Sequence, residues 1–118
     1  MFGFEKLDVW QKAVDFANEV YGATRQFPTG ERYGLTSQVR RAAVSISSNI
    51  AEGSGRSSRK DFAHFIEIAY GSLMEVVSQV QVACHQAFLK PVERDSLYVK
   101  AEELARMLSG LKVSLLRE

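Results

Sequence analysis

Residues 62–87 read FAHFIEIAYGSLMEVVSQVQVACHQA, and in this run Phe62, Ile66, Ala69, Leu73, Val76, Val80, Ala83 and Ala87 recur at alternating steps of three and four. That spacing returns a side chain to the same face of an α-helix every two turns, the rhythm of a helix packed in a bundle. Strands would instead alternate apolar and polar residues at a period of two, and no stretch of the chain does so over a strand's length. The start of the run is marked as well. Ser58 stands three residues before Asp61, the arrangement of a capping box with Asp in place of Glu, so a helix is predicted over residues 59–87.

Outward from this segment the same period repeats. Leu35, Val39, Ala42, Ile46 and Ile50 predict a helix over residues 34–52. Trp10, Val14, Ala17, Tyr21 and Thr24 predict one over 8–26, with Asp8 as its cap and Pro28 ending it. After a break at Lys90-Pro91, residues Leu97, Ala101, Leu104, Leu108, Leu111 and Leu115 predict a helix over 93–116. Each segment is apolar on one face and polar on the other, so none is stable alone and all must share a core. The connections Phe27 to Tyr33, Gly53 to Ser57 and Phe88 to Val92 are short, which makes consecutive helices antiparallel neighbours. The expected fold is therefore all-α, an antiparallel up-down-up-down four-helix bundle built as one domain over residues 1–118. The glycine at 53 is expected just past a helix end, where it would relax the backbone into a left-handed turn.

Composition agrees with that reading. The 118 residues are 46% hydrophobic, enough for one continuous core, and the formal net charge is +1. Cys84 is the single cysteine, so no internal disulfide forms. No apolar run approaches the ~20 residues of a membrane span. The opening MFGFEKLDVW has no signal-peptide pattern. A soluble, cytoplasmic protein with no membrane contact is expected.

Catalytic chemistry finds little to stand on. A di-iron centre in a bundle needs two carboxylate-x-x-His pairs and further inward carboxylates. Only Asp61 and His64 have that spacing. Asp61 is accounted for by the cap, and His64 lies about 200° around the helix from Phe62, away from the core. Cys84 adjoins a core position and has no base placed to activate it, and no G-x-S-x-G elbow exposes a serine. Gly53-Ser-Gly55 follows a helix rather than a strand and lacks the phosphate-loop pattern. Neither a metal, a cofactor nor an enzymatic activity is expected.

Charge is unevenly placed. Between Pro28 and Asp61 stand six basic residues, Arg32, Arg40, Arg41, Arg56, Arg59 and Lys60, against the acidic Glu31, Glu52 and Asp61. Arg56, Arg59 and Lys60 gather at the start of the third helix, where free backbone donors and the helix dipole favour an anion. Arg40 and Arg41 lie about 22 Å away along the second helix and extend this into a basic strip. A separate feature is Gly71 in the middle of the third helix, costing about 1 kcal/mol relative to alanine. It lies on the outward face with Ile68, Ser78 and Val82, small and apolar residues that would let another helix approach, so a subunit contact is expected there.

FEKLDVWQKAV, YGLTSQVRRAAVSISSNIAEGSGR and FIEIAYGSLMEV together resemble the 23S ribosomal RNA intervening-sequence protein family, a bacterial family of four-helix bundles. The likeness is most specific at SNIAEGSG, residues 48–55, and departs from the usual pattern at Ser47, where many relatives carry proline. It implies a homo-oligomer, with a pentameric ring expected, and similarity to accessory proteins of diversity-generating retroelements implies RNA or DNA as the partner. The resemblance carries no assigned site. Asn49 and Glu52 are expected to fix the turn after the second helix through hydrogen bonds. The resulting expectation is a non-enzymatic oligomer that contacts nucleic-acid phosphates through Arg40, Arg41, Arg56, Arg59 and Lys60. A protein-interaction scaffold with no nucleic-acid role is the alternative.

Overall fold

The computed structural model describes residues 1–117, leaving Glu118, the last residue of the expected domain, outside the described residues. Helices α1 (Asp8–Thr24), α2 (Leu35–Ser54), α3 (Arg59–His85) and α4 (Pro91–Leu116) form a rod 47 Å long and about half as wide. Short 3-10 turns at Gly3–Lys6 and Thr29–Glu31 lie ahead of α1 and α2. Each helix packs on the ones before and after it, and α4 returns to α1. Side-chain pairs fix the directions. Gln38 meets Gln79 and Ser45 meets Ser72 between α2 and α3. Glu67 meets Lys112 between α3 and α4, and Lys12 meets Glu103 between α1 and α4. Between α1 and α4 Glu19 also meets Lys100, and Thr24 at the end of α1 meets Arg40 in the first half of α2, so a residue later on one helix meets one earlier on its neighbour and consecutive helices run antiparallel.

The core follows the expected stripes on three helices. Ile46 and Ile50 of α2, Leu73 and Val76 of α3, and Leu108 of α4 are wholly inaccessible to solvent. On α1 the stripe is turned. Val9, Ala13, Phe16, Ala17, Val20 and Thr24 face inward, whereas Trp10 and Val14 are half-buried and Tyr21 is exposed. Apolar residues cover more than half of this helix's circumference, and its period alone does not choose among them. The choice is made by what covers the outer aromatics: Phe4 packs edge-on against Trp10, at 5.1 Å between centroids, and Arg40 lies over Tyr21.

The helix ends depart from expectation in three places. Asp8 is the first residue of α1 and makes no cap bond, because Leu7 holds the cap position; its charge instead faces the positive end of the helix dipole. Ser58 does cap α3, its Oγ accepting from the Asp61 amide at 3.0 Å. Ala87 leaves the core stripe altogether. It is exposed with φ at 63°, and Phe88 N donates to Ala83 O at 2.9 Å while Ala87 N donates to Cys84 O at 3.0 Å. This is the Schellman ending, with alanine where glycine is usual. Pro91 then opens α4 at its first position, where a missing amide costs nothing.

Gly53 is the third departure. It lies inside α2, buried and without a positive φ. A Cβ at this position would stand 2.7 Å from Phe65 Cβ and 2.9 Å from Phe62 Cδ1. The glycine is thus required by the approach of α2 to α3 rather than by a turn. Gly53→Ala gains about 1 kcal/mol of helix propensity. It also forces overpacking against a Cβ that cannot rotate away, which costs about 1–3 kcal/mol. Denaturant titration is expected to show a net loss of stability, and a gain would refute the close-approach account. Ala87→Gly is expected to shift the same midpoint upwards by relieving the left-handed strain.

Candidate nucleic-acid interface

The five basic residues of the expected strip do not act as one surface. Arg40 is half-buried at the α1–α2 seam: its Nε donates to Thr24 Oγ1 at 2.8 Å and its guanidinium lies 4.6 Å from the Tyr21 ring centroid. The Thr24 hydroxyl donates in turn to Val20 O at 2.9 Å, so the buried hydroxyl is satisfied on both sides. Arg59 reaches across to the far end of α4, donating from Nη2 to Ser114 O at 2.7 Å and from Nε to Leu115 O at 3.2 Å. A guanidinium there satisfies carbonyls that the helix end leaves open and meets the negative end of its dipole. Both residues fasten helices together.

Three cations remain outward. Arg41 is exposed on α2 beside a hollow of about 320 Å³ that it shares with Gln38, Ser45, Ser72 and Glu75. Arg56 follows α2, its guanidinium 4.6 Å from the Phe65 ring centroid and 3.4 Å from Glu52, an exposed pair. Such a pair contributes little in water and yields readily to a competing anion. Lys60 is exposed in the first turn of α3. Neither Arg41 nor Lys60 makes an ion pair among the described residues.

Between α2 and α3 the contact is polar as well as close. The Ser45 and Ser72 hydroxyls share a hydrogen bond at 3.0 Å, and half-buried Asn49 donates to Ser45 O at 2.8 Å and to Ser45 Oγ at 3.0 Å. Asn49 thus belongs to the seam, while Glu52 is exposed and serves Arg56. The spacing of Gln38, Arg41, Ser45 and Asn49 along α2 carried a signal for this polar line, but only the position of α3 shows that Ser72 completes it.

The α1–α4 side is laced by ion pairs instead. Lys100 meets Glu19 at 2.7 Å, and the hydrogen bond and charge of Glu19 hold its ammonium above the ordinary lysine range. Arg94 is raised likewise, first by its hydrogen bond to Asp95 and then by that carboxylate's charge. Among the described residues no group of three or more His, Cys, Asp or Glu side chains is placed to hold a metal ion, and no helix is long and apolar enough to cross a membrane.

Ile68, Gly71, Ser78 and Val82 are all exposed along the outer face of α3, and a Cβ on Gly71 would meet nothing within 4 Å. Outward valines on α4, at positions 92, 99 and 113, form a second apolar line that the inner stripe of leucines obscures in the sequence.

Four antiparallel helices with a polar, unenclosed surface define a four-helix-bundle protein. The chain belongs to the 23S rRNA-intervening sequence protein family, which it matches over residues 5–110. In fold it is similar to a crystal structure of a protein of unknown function from the S23 ribosomal protein family of Bacteroides thetaiotaomicron. The two share 20% identity and a TM-score of 0.79, over 88% of this chain and 97% of the other. No curated protein matches the chain.

Separating fastening from outward arginines gives a direct test. Arg59→Met is expected to lower the melting temperature and speed amide exchange in the last turn of α4. Arg41→Glu, on an exposed face, is expected to leave both unchanged. Equal effects of the two would contradict the assignment.

Proposed function

We propose that this protein is a non-enzymatic, self-associating helical bundle that holds nucleic-acid phosphates on the outward cations of α2, of the α2–α3 turn and of the first turn of α3. The observation that carries the reading is that Arg41, Arg56 and Lys60 stay exposed, with only one weak ion pair among them, while Arg40 and Arg59 are tied to other helices. Three cations on one subunit bind weakly. Copies of the subunit multiply them, and with a net charge of +1 these individual contacts, rather than a global field, are the source of attraction. The smooth outer face of α3 at Gly71 supports self-association, because a second helix can come close there. The family name, which refers to ribosomal RNA, favours RNA as the first ligand to try.

Binding to a labelled RNA and to duplex DNA is expected to weaken steeply with salt. Each phosphate contact removed lowers the slope of log K against log salt by about 0.9 on duplex DNA or 0.7 on single strands. Arg41→Glu, Arg56→Glu and Lys60→Glu together are expected to abolish binding without loss of helicity. Binding that ignores salt, or that survives all three reversals, would remove the proposal.

A further inference from the structure

The hollow between α2 and α3 holds two opposite charges that do not meet. Ser45 and Ser72, bonded at 3.0 Å, both line it, and Gln38 of its lining meets Gln79 at 3.4 Å. In the antiparallel register that these two contacts set, Arg41 on α2 and Glu75 on α3 stand at nearly the same level. Both line the hollow, both are exposed, and neither makes an ion pair among the described residues. Ala42 lines it too, and this small, buried side chain leaves a volume of about 320 Å³ open between the walls. That is the lower end of the size range of small-molecule sites.

The two walls offer different groups to a ligand. On α2, Gln38 Oε1 is taken, accepting from Gln79 Nε2, and the Gln38 amide nitrogen is a donor with no partner among the described residues. On α3, the Glu75 carboxylate can accept two parallel hydrogen bonds and donates none. The Ser45 and Ser72 hydroxyls are already bonded to each other, and Asn49 donates to Ser45 Oγ as well. A flat molecule entering the hollow therefore meets one free donor and a pair of acceptors, with the Arg41 cation beside them.

We infer that this hollow takes an unpaired guanine of a nucleic-acid strand, with Glu75 accepting from N1–H and the N2 amino group, Gln38 donating to O6 and Arg41 holding the phosphate. Guanine is the base whose Watson–Crick edge sets two donors side by side next to an acceptor. Adenine and cytosine place a ring-nitrogen acceptor beside their amino group, and uracil flanks its single N–H with two carbonyl oxygens. Each of these would turn an acceptor towards the carboxylate. Pairing in a duplex uses the same edge, so only a base outside a duplex can be read in this way, as is usual where proteins recognise RNA sequence.

This inference rests on the reading that Arg41 holds a nucleic-acid phosphate, and the experiment separates the two. Fluorescence anisotropy would compare labelled oligo-adenylate RNA with the same strand carrying a central guanine or a central inosine, with circular dichroism confirming the helicity of each variant. Wild type is expected to bind the guanine strand about tenfold more tightly than oligo-adenylate, the scale of one bidentate base contact. Inosine lacks the N2 amino group and is expected to lose most of that preference. Glu75→Gln keeps the size of the side chain but only one acceptor, and should bring the ratio of the two affinities close to one. Guanosine monophosphate brings a single phosphate and is expected to compete poorly. Competition as strong as that of the guanine strand would overturn a strand as the source of the base. Equal binding of all three strands by wild type, or an unchanged ratio in Glu75→Gln, would overturn the guanine site. Salt-dependent binding of oligo-adenylate that Arg41→Glu, Arg56→Glu and Lys60→Glu together abolish would then leave the phosphate reading standing. Failure of wild type to bind any strand would overturn both.

Discussion

The space between Gly53 and the side chains of Phe62 and Phe65 is less than one methyl group wide, and the geometry of the α2–α3 pair follows from it. With α2 pressed that close to the start of α3, the chain reverses within the few residues between Ser54 and Arg59. The two helices then run side by side closely enough for the Ser45 and Ser72 hydroxyls to bond directly. Small residues on this seam are therefore a packing requirement. Larger ones would push α2 outward and open the core around Ile46, Ile50 and Leu73, which admit no solvent.

Arginine has two roles in this bundle. Its long stem and forked donors allow Arg40 and Arg59 to reach a neighbouring helix and satisfy a buried hydroxyl or open carbonyls there. Arg41 and Arg56 are the same residue type but stand elsewhere, one exposed on α2 and one in the turn that follows it. A count of basic residues thus overstates the charge offered to a ligand. The net surface available is smaller than that count suggests.

The outer faces of α3 and α4 pose the complementary question of why a bundle would leave regularly spaced aliphatic side chains and glycines in water. Scattered surface valines need no explanation. Here Ile68 and Val82 on α3 and Val99 and Val113 on α4 stand exposed at intervals of about four helical turns.

The amino-acid sequence by itself determined the number of helices, their antiparallel order, the inward stripes of α2, α3 and α4 and the Ser58 cap. Each of these is written in a local period or a short motif that a few consecutive residues express. Local pattern also marked Gly71 as unusual. It did not determine which arc of α1 turns inward, because that helix is apolar over more than one face and its covering residues, Phe4 and Arg40, lie outside it. Nor did it determine that Gly53 sits within a helix, that Ala87 takes a left-handed conformation, or that Arg59 closes the end of α4. The Gly53 and Arg59 outcomes depend on which atoms meet across separations of up to 56 residues, and only the packed bundle brings such atoms together.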